Sequence, residues 1–325
     1  CKEFPELLDV TTFLDVCGGP GGFSLFMLSI DGISGSGITL RTNDKSRQWY
    51  TDLTENENWV CISNDNGDVT DKNVRNDLKA IEKVDVVMAD GAVPENTYTN
   101  ESMQERYNSR LLTAELCIIF STLKSGGKMV LKLFDIFTNY TASLLYVITR
   151  SFEYTALFKP DGSRPVNSEK YVVGLGYNPN KGEEGLAIIE SILAEWPSAM
   201  NMPSTLIPSH VMQGDRKFSS SFLRAAREMS ATQTKALSNV FSLLDSWLSN
   251  PGKGLTNGSN FDRNAANKLK GQKGGKVKGK RGNKGNGKSK GKGKGKSGLY
   301  GCKKGAKGFH PYHADAEYDF LVRNP

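Results

Sequence analysis

The sequence predicts an α/β protein: a doubly wound, seven-stranded Rossmann-like sheet with a C-terminal helical extension and a disordered basic tail. Three observations predict it. Over the first 177 residues short apolar runs alternate with helical patterns, as in a parallel sheet with crossover helices. A glycine-rich turn, GGPGG (18 to 22), directly follows the first run. No helical pattern separates the last two runs, which predicts a hairpin there with one antiparallel strand at the sheet edge.

The strand candidates, in order, are TFLDVC (12 to 17), GITLRT (37 to 42), WVCIS (59 to 63), VDVVMAD (84 to 90), KMVLKLF (128 to 134), YTALFKP (154 to 160) and KYVVGLGY (170 to 177). Their β-branched and aromatic content and flanking turn residues support the assignment. Between them GGFSLFMLSI, VRNDLKAIEK, SMQERYNSRLLTAELCIIFSTLK and NYTASLLYVITRSF read as helices. Residues 1 to 178 thus form the first domain. Beyond Pro179 come helices without strands, EEGLAIIESILAEW and a long pattern from Ser219 to Leu248. In the latter Phe222, Ala225, Met229, Leu237, Val240, Phe241, Leu244 and Leu248 recur near helical spacing, so residues 179 to 250 read as a helical extension packed on the sheet domain. A partner-binding helix is the rival reading.

From 251 to 306 the chain is rich in Lys and Gly and nearly free of apolar residues, too few to offset the entropy of ordering, so this segment is expected to be disordered. Residues 307 to 325 are less biased and carry no clear expectation of order. Charge divides the same way. Residues 1 to 252 hold 23 Lys/Arg against 31 Asp/Glu, a net of −8, whereas 253 to 325 hold 19 against 4, a net of +15. The basicity belongs to the tail, which suits nucleic-acid phosphates or a nuclear-localisation signal. Five scattered cysteines without a CxxC pair point to reduced thiols and an intracellular site, nucleus and cytoplasm not being distinguished. The longest apolar run, around LCIIF, is far short of a membrane span of about 20 residues. A chain opening on Cys1 is expected to be part of a longer protein.

The glycine turn sits where the chain passes from strand to helix, beside the crevice at which a doubly wound sheet binds ligands. Glycine permits positive φ and lets a ligand reach main-chain amides. The rival is a tight turn without a ligand, but four glycines in five positions exceed what a turn requires. The spacing is not that of a dinucleotide site, and Pro20 removes an amide that a pyrophosphate would use, so a cofactor without phosphates such as S-adenosylmethionine fits better. In the loop NDNGDVTD, Asp65, Asp68 and Asp71 are candidate acceptors for an exocyclic amine or a ribose hydroxyl; calcium is a poor rival because EF-hand spacing is missing. Asp90 ends VDVVMADG, where it either faces the crevice or caps the next helix.

Lys132 lies inside MVLKLF, a run expected to be buried in a central strand. An isolated ammonium there would cost several kcal/mol unless paired. Asp90 and Glu169, the latter in SRPVNSEKYVV, are the candidate partners, and a lysine flanked by carboxylates at the crevice can take a proton from a sugar hydroxyl. The rival is a lysine snorkelling out at a strand end. A zinc site from Cys302, His310 and His313 matches no known finger spacing, and His210 reads as a loop or packing residue.

DVCGGPGGFS, GITL, NGDVTD, VMADG, GGKMVLKLFDIFT and LFKPDGSRPVNSEKYVV, in this order over residues 13 to 173, resemble the FtsJ-like RNA 2′-O-ribose methyltransferases. The resemblance is closest to their mRNA-cap branch, found in eukaryotes and in RNA-virus replication proteins. It implies S-adenosylmethionine as cofactor, capped RNA as partner and a Lys-Asp-Lys-Glu tetrad whose last three members fall on Asp90, Lys132 and Glu169. It places the methionine moiety at the glycine turn, on Asp15, Cys17, Gly18, Gly19, Pro20, Gly21, Gly22 and Phe23, with Asp68 and Val69 flanking adenine and Asp90 also among the cofactor-binding residues. The tetrad's first lysine lies in a helix well upstream in the family. Here 14 residues precede Asp15 and Lys2 is their sole basic one, so the expectation is a lysine before Cys1.

Three functions follow as alternatives: 2′-O-methylation of the first transcribed nucleotide of capped mRNA, the same reaction on ribosomal RNA or internal sites, and a catalytically silent RNA-binding scaffold acting through its tail. The cap guanine would be gripped by aromatic stacking, for which Trp49, Tyr98, Tyr107 and Phe134 are eligible.

Overall fold

The computed structural model describes residues 3 to 62, 66 to 94, 97, 103 to 160, 162 to 196 and 202 to 249. The expectations for the basic tail, for 307 to 325, and for Asp65, Tyr98, Lys2 and the Cys302, His310, His313 group lie outside these residues. Those through Val240 belong to one compact unit, and the last turns of the final helix to a second.

Seven strands form one sheet: β1 (Thr12–Val16), β2 (Ser34–Ile38), β3 (Trp59–Cys61), β4 (Val84–Ala89), β5 (Leu123–Leu133), β6 (Phe152–Phe158) and β7 (Lys170–Tyr177), in the order β3-β2-β1-β4-β5-β7-β6. The helices are α1 (Gly22–Leu28), α2 (Thr51–Thr54), α3 (Lys72–Lys79), α4 (Gln104–Thr122), α5 (Asn139–Ser151), α6 (Pro179–Ala194), α7 (Ser209–Gly214) and α8 (Arg216–Ser249). Helix starts follow their caps. The Asp71 side chain accepts from Asn73 N ahead of α3, Thr138 from Thr141 N ahead of α5, and Asn178 from Lys181 N ahead of α6, with Pro179 in its first turn. Among the described residues no helix is long and apolar enough to cross a membrane.

Three expectations about the strands are corrected. The antiparallel strand is not at the edge: β7 is inserted between β5 and β6 and runs antiparallel to both, leaving β6 outermost. The crossover through α5 sets β6 two strand positions beyond β5, and the hairpin return fills the gap. The second strand covers 34 to 38 rather than 37 to 42, since it pairs β1 from Ser34 to Ile38 and then bends away at the crevice. The β5 strand also begins earlier than expected, at Leu123, with an irregularity in its pairing with β4 between Val84 and Val86 before the regular ladder from Lys128.

The two sheet faces alternate with the pleat. Leu14, Val16, Val87, Ala89, Leu131 and Leu133 join one core with α4, α5 and α6, while Phe13, Val86 and Met88 join the other with α1 and the turn at Pro5–Leu8. Met212, Phe218, Ala225 and Met229 belong to the first core, which is how the helices after β7 pack on the sheet domain. Further along α8 the apolar positions open to solvent, Leu237 and Val240 among them. Because the chain moves outward from β1 in one direction and from β4 in the other, the order reverses between these two strands. A crevice therefore opens at their C-terminal ends.

Candidate active site

At that crevice β1 passes into α1 through Cys17 to Gly21. Cys17 has φ +59° and Gly21, the residue before α1, has φ +106°. Besides positive φ at Gly21, the glycines have a cause within the protein itself. A Cβ on Gly18 would lie 2.2 Å from the Asp15 carboxyl, one on Gly19 2.4 Å from the Arg47 carbonyl oxygen, and one on Gly21 2.1 Å from Leu53. The protein's own packing demands these three, and only Gly22 faces open space. Asp15 is fully buried, with Oδ2 accepting from the Ser24 hydroxyl at 2.5 Å. Its Oδ1 has no partner among the described residues. Burial, and secondarily the negative charge of Asp90, pushes its carboxyl up to about 7.

The loop after β3 folds back on itself. Asp68 Oδ1 accepts from the amide and hydroxyl of Thr70 at 2.9 and 2.8 Å. Asp71 is committed to capping α3, so it is not the free acceptor the sequence suggested. Val69 is 1% exposed, main chain included, and its carbonyl accepts from the buried Arg75 guanidinium.

Asp90, directly after β4, caps no helix. Its Oδ1 lies 3.3 Å from Lys132 Nζ, and Glu169 Oε2 stands 3.4 Å from the same nitrogen. Lys132 alternates with the buried Leu131 and Leu133 along β5, its side chain is only 12% exposed, and its Nζ lies 5.6 Å from the Phe134 ring centre. It does not snorkel into bulk solvent. Asp90, Lys132 and Glu169, assigned from separate motifs, thus meet at one point.

Four residues that sequence reasoning missed hold this group. The Tyr171 hydroxyl donates to Asp90 Oδ1 at 2.8 Å. The Ser163 hydroxyl donates to Glu169 Oε1 at 3.0 Å, and Lys159 Nζ fastens the intervening turn through the carbonyls of Asn167 and Glu169 at 2.9 and 2.7 Å. Lys170 is buried, and its ammonium donates to the carbonyls of Phe134 and Ser168, both at 2.6 Å, tying the segment after β5 to the one before β7. Burial draws its amine down to about 8. Tyr171 was findable, since it lies two residues beyond Glu169 and therefore on the same side of extended chain.

Of the aromatics proposed to stack on a cap, Trp49 is partly buried against Trp59, their rings 5.2 Å apart, and serves packing. Phe137 was overlooked. It is 75% exposed, in the segment after β5, with its amide held by Glu105 Oε2 at 3.1 Å.

Residues 2–177 match the family model described as FtsJ-like methyltransferase. A cap-specific mRNA (nucleoside-2′-O-)-methyltransferase of Autographa californica nuclear polyhedrosis virus is 38% identical over 177 residues, 53% of this chain and 66% of that protein. Cap-specific mRNA (nucleoside-2′-O-)-methyltransferase 1 of Trypanosoma brucei brucei is 34% identical over 245 residues, 72% of this chain and 65% of that protein. Its counterpart in Homo sapiens is 30% identical over 265 residues, 74% of this chain and 30% of that protein. The chain therefore spans less than two thirds of the length of these relatives.

Proposed function

The chain belongs to the FtsJ-like methyltransferase family, and on that premise we propose that it methylates the ribose 2′-hydroxyl of the first transcribed nucleotide of capped mRNA, using S-adenosylmethionine. The observation that carries this is the ammonium of Lys132 standing between Asp90 at 3.3 Å and Glu169 at 3.4 Å beside the glycine turn. The names of the viral and trypanosomal relatives support the cap as substrate.

The residues present fit the cofactor. Asp15 Oδ1 is a buried acceptor without a partner among the described residues, and Gly22 adds no side chain to the open space beside it. Asp15 and the turn from Cys17 through Phe23 would hold the methionine moiety, with Asp68 beside the adenine. When bound, the sulfonium supplies a methyl group already activated for transfer, so the protein's part is chiefly orientation and exclusion of water. Asp90 and Glu169 fix Lys132, Tyr171 and Ser163 fix the two carboxylates, and Lys132 faces the ribose hydroxyl. In its neutral form the Lys132 amine would accept the proton that the ribose hydroxyl gives up, becoming the ammonium that Asp90 and Glu169 hold.

The test is incubation of this chain with methyl-labelled cofactor and short RNA, capped and uncapped. Label on the first ribose of capped RNA alone is expected. Label on guanine N7, or none on ribose, overturns the reading; equal labelling of uncapped RNA moves the substrate to ribosomal or internal sites. RNA binding without transfer leaves a silent scaffold.

A further inference from the structure

On α4, within the apolar run TAELCIIF, Glu115 is 1% exposed and has no part in the chemistry above. Its Oε1 accepts the amide of Gly91 at 3.0 Å, and Gly91 in turn lies against Cys17. Gly91 is the residue after Asp90, and Cys17 opens the glycine turn. The strands that deliver them are neighbours, Val16 paired with Ala89. A Cβ on Gly91 would lie 2.3 Å from Glu115 Oε1 and 3.2 Å from Cys17 Cβ, so a side chain there would pry the three apart.

We propose that Glu115 is a positioning residue which, by holding the amide of Gly91 beside Cys17, sets the turn that carries Asp90 against the turn that receives the cofactor. The reaction it serves is the one proposed above. The groups facing it are Cys17 at the end of β1, Asp90 at the end of β4 and Lys132 on β5. Burial pushes its carboxyl up to about 8, with Asp90 adding to the rise, so at neutral pH Glu115 is a neutral acceptor that adds no charge beside Asp90 and Lys132. A glutamine, of the same size and with the same acceptor, should replace it; a leucine should not.

The sign of the pH effect follows from the proton count. In the folded chain Glu115 keeps its proton up to about 8, whereas unfolded it releases it near 4.5, so between these values its contribution to stability falls as pH rises. Glu115→Gln and Glu115→Leu are compared with the wild type by amide hydrogen exchange at Gly91 and by unfolding midpoint against pH, both without ligand, and by steady-state methyl transfer.

Glu115→Gln is expected to keep Gly91 protection and kcat, and to flatten the loss of stability between pH 4.5 and 8. Glu115→Leu is expected to expose Gly91 to exchange and to lower kcat about tenfold, the loss of one hydrogen bond, with KM for RNA unchanged. Wild-type exchange and kinetics in Glu115→Leu overturn the proposal, as does an unchanged midpoint-against-pH curve in Glu115→Gln. The second measurement decides alone if the leucine variant does not fold. A wild-type protein without methyl transfer would overturn the reaction instead, with the ligand-free measurements still reporting on the grip.

Discussion

The hydroxyl of Tyr171 donates to Asp90 Oδ1 at 2.8 Å, and the same oxygen stands 3.3 Å from Lys132 Nζ. One carboxylate oxygen thus serves two donors from adjacent strands, since Tyr171 and Lys132 are register partners across β5 and β7. The inserted antiparallel strand is what makes this possible: it brings Glu169 and Tyr171 alongside Lys132 from the side opposite β4. Tyr171→Phe removes one donor and leaves the ion pairs. A hydrogen bond to a charged group contributes about 1.5–3 kcal/mol, so kcat should fall roughly 10- to 100-fold, less than in Asp90→Asn. Single-turnover methyl transfer at saturating cofactor measures it; an unchanged rate would show that the ion pairs alone hold Asp90.

Lys132 is asked to release and accept a proton, which a guanidinium cannot do. Lys132→Arg and Lys132→Met should therefore both lose about 10²- to 10⁴-fold in rate, the range for a positioned acid or base, while binding S-adenosylhomocysteine as the wild type does. Calorimetry separates the two properties. Arginine retaining substantial activity would mean that charge, not proton transfer, is what the site needs from this position.

Most of this site could be read from the sequence, because its parts are local. A strand ending in a glycine turn, an acid ending a strand and a lysine inside an apolar run are each visible within ten residues. Their supports were not. Ser163 and Lys159 act through the folding back of a loop, and the place of β7 depends on which strand pairs with which. Glu115 was detectable by the same reasoning that found Lys132, a charge inside an apolar stretch, but a helix in TAELCIIF gives no hint of which turn its carboxyl meets. The glycines carried a mixed message: three of the four in GGPGG are fixed by the protein's own contacts, which a sequence cannot distinguish from space left for a ligand.

At the far end of the sheet Asp85 supplies a test of stability independent of the site. Burial raises its carboxyl, but hydrogen bonds from Lys124, Thr11 and Thr12 outweigh this and hold it well below its usual 3.8. The stability it contributes is thus present above about pH 4 and is lost as pH falls toward its folded value. Asp85→Asn should lower the unfolding midpoint at neutral pH, and the gap to the wild type should close as the solution is acidified. Midpoints at pH 7, 5 and 3 check this, and a gap that widens in acid would contradict the assignment.

Phe137 is exposed while its backbone is tied down. Its amide and that of Thr138 both donate to Glu105, at 3.1 and 3.0 Å, so the ring is presented to solvent from a fixed base. Leaving a phenyl ring 75% exposed wastes its burial, and the segment that bears it leaves the strand of Lys132 at the crevice end. Stacking on a base, strengthened where the base carries a positive charge as a methylated cap guanine does, would recover about 1–3 kcal/mol. Phe137→Ala should accordingly raise KM for capped RNA by roughly 5- to 100-fold and leave the unfolding midpoint and cofactor affinity as they are. Phe137→Trp should restore binding, because stacking needs a flat ring rather than this particular one. A lower KM for capped than for uncapped RNA that the alanine leaves unchanged would assign the cap to another aromatic and leave this ring as surface.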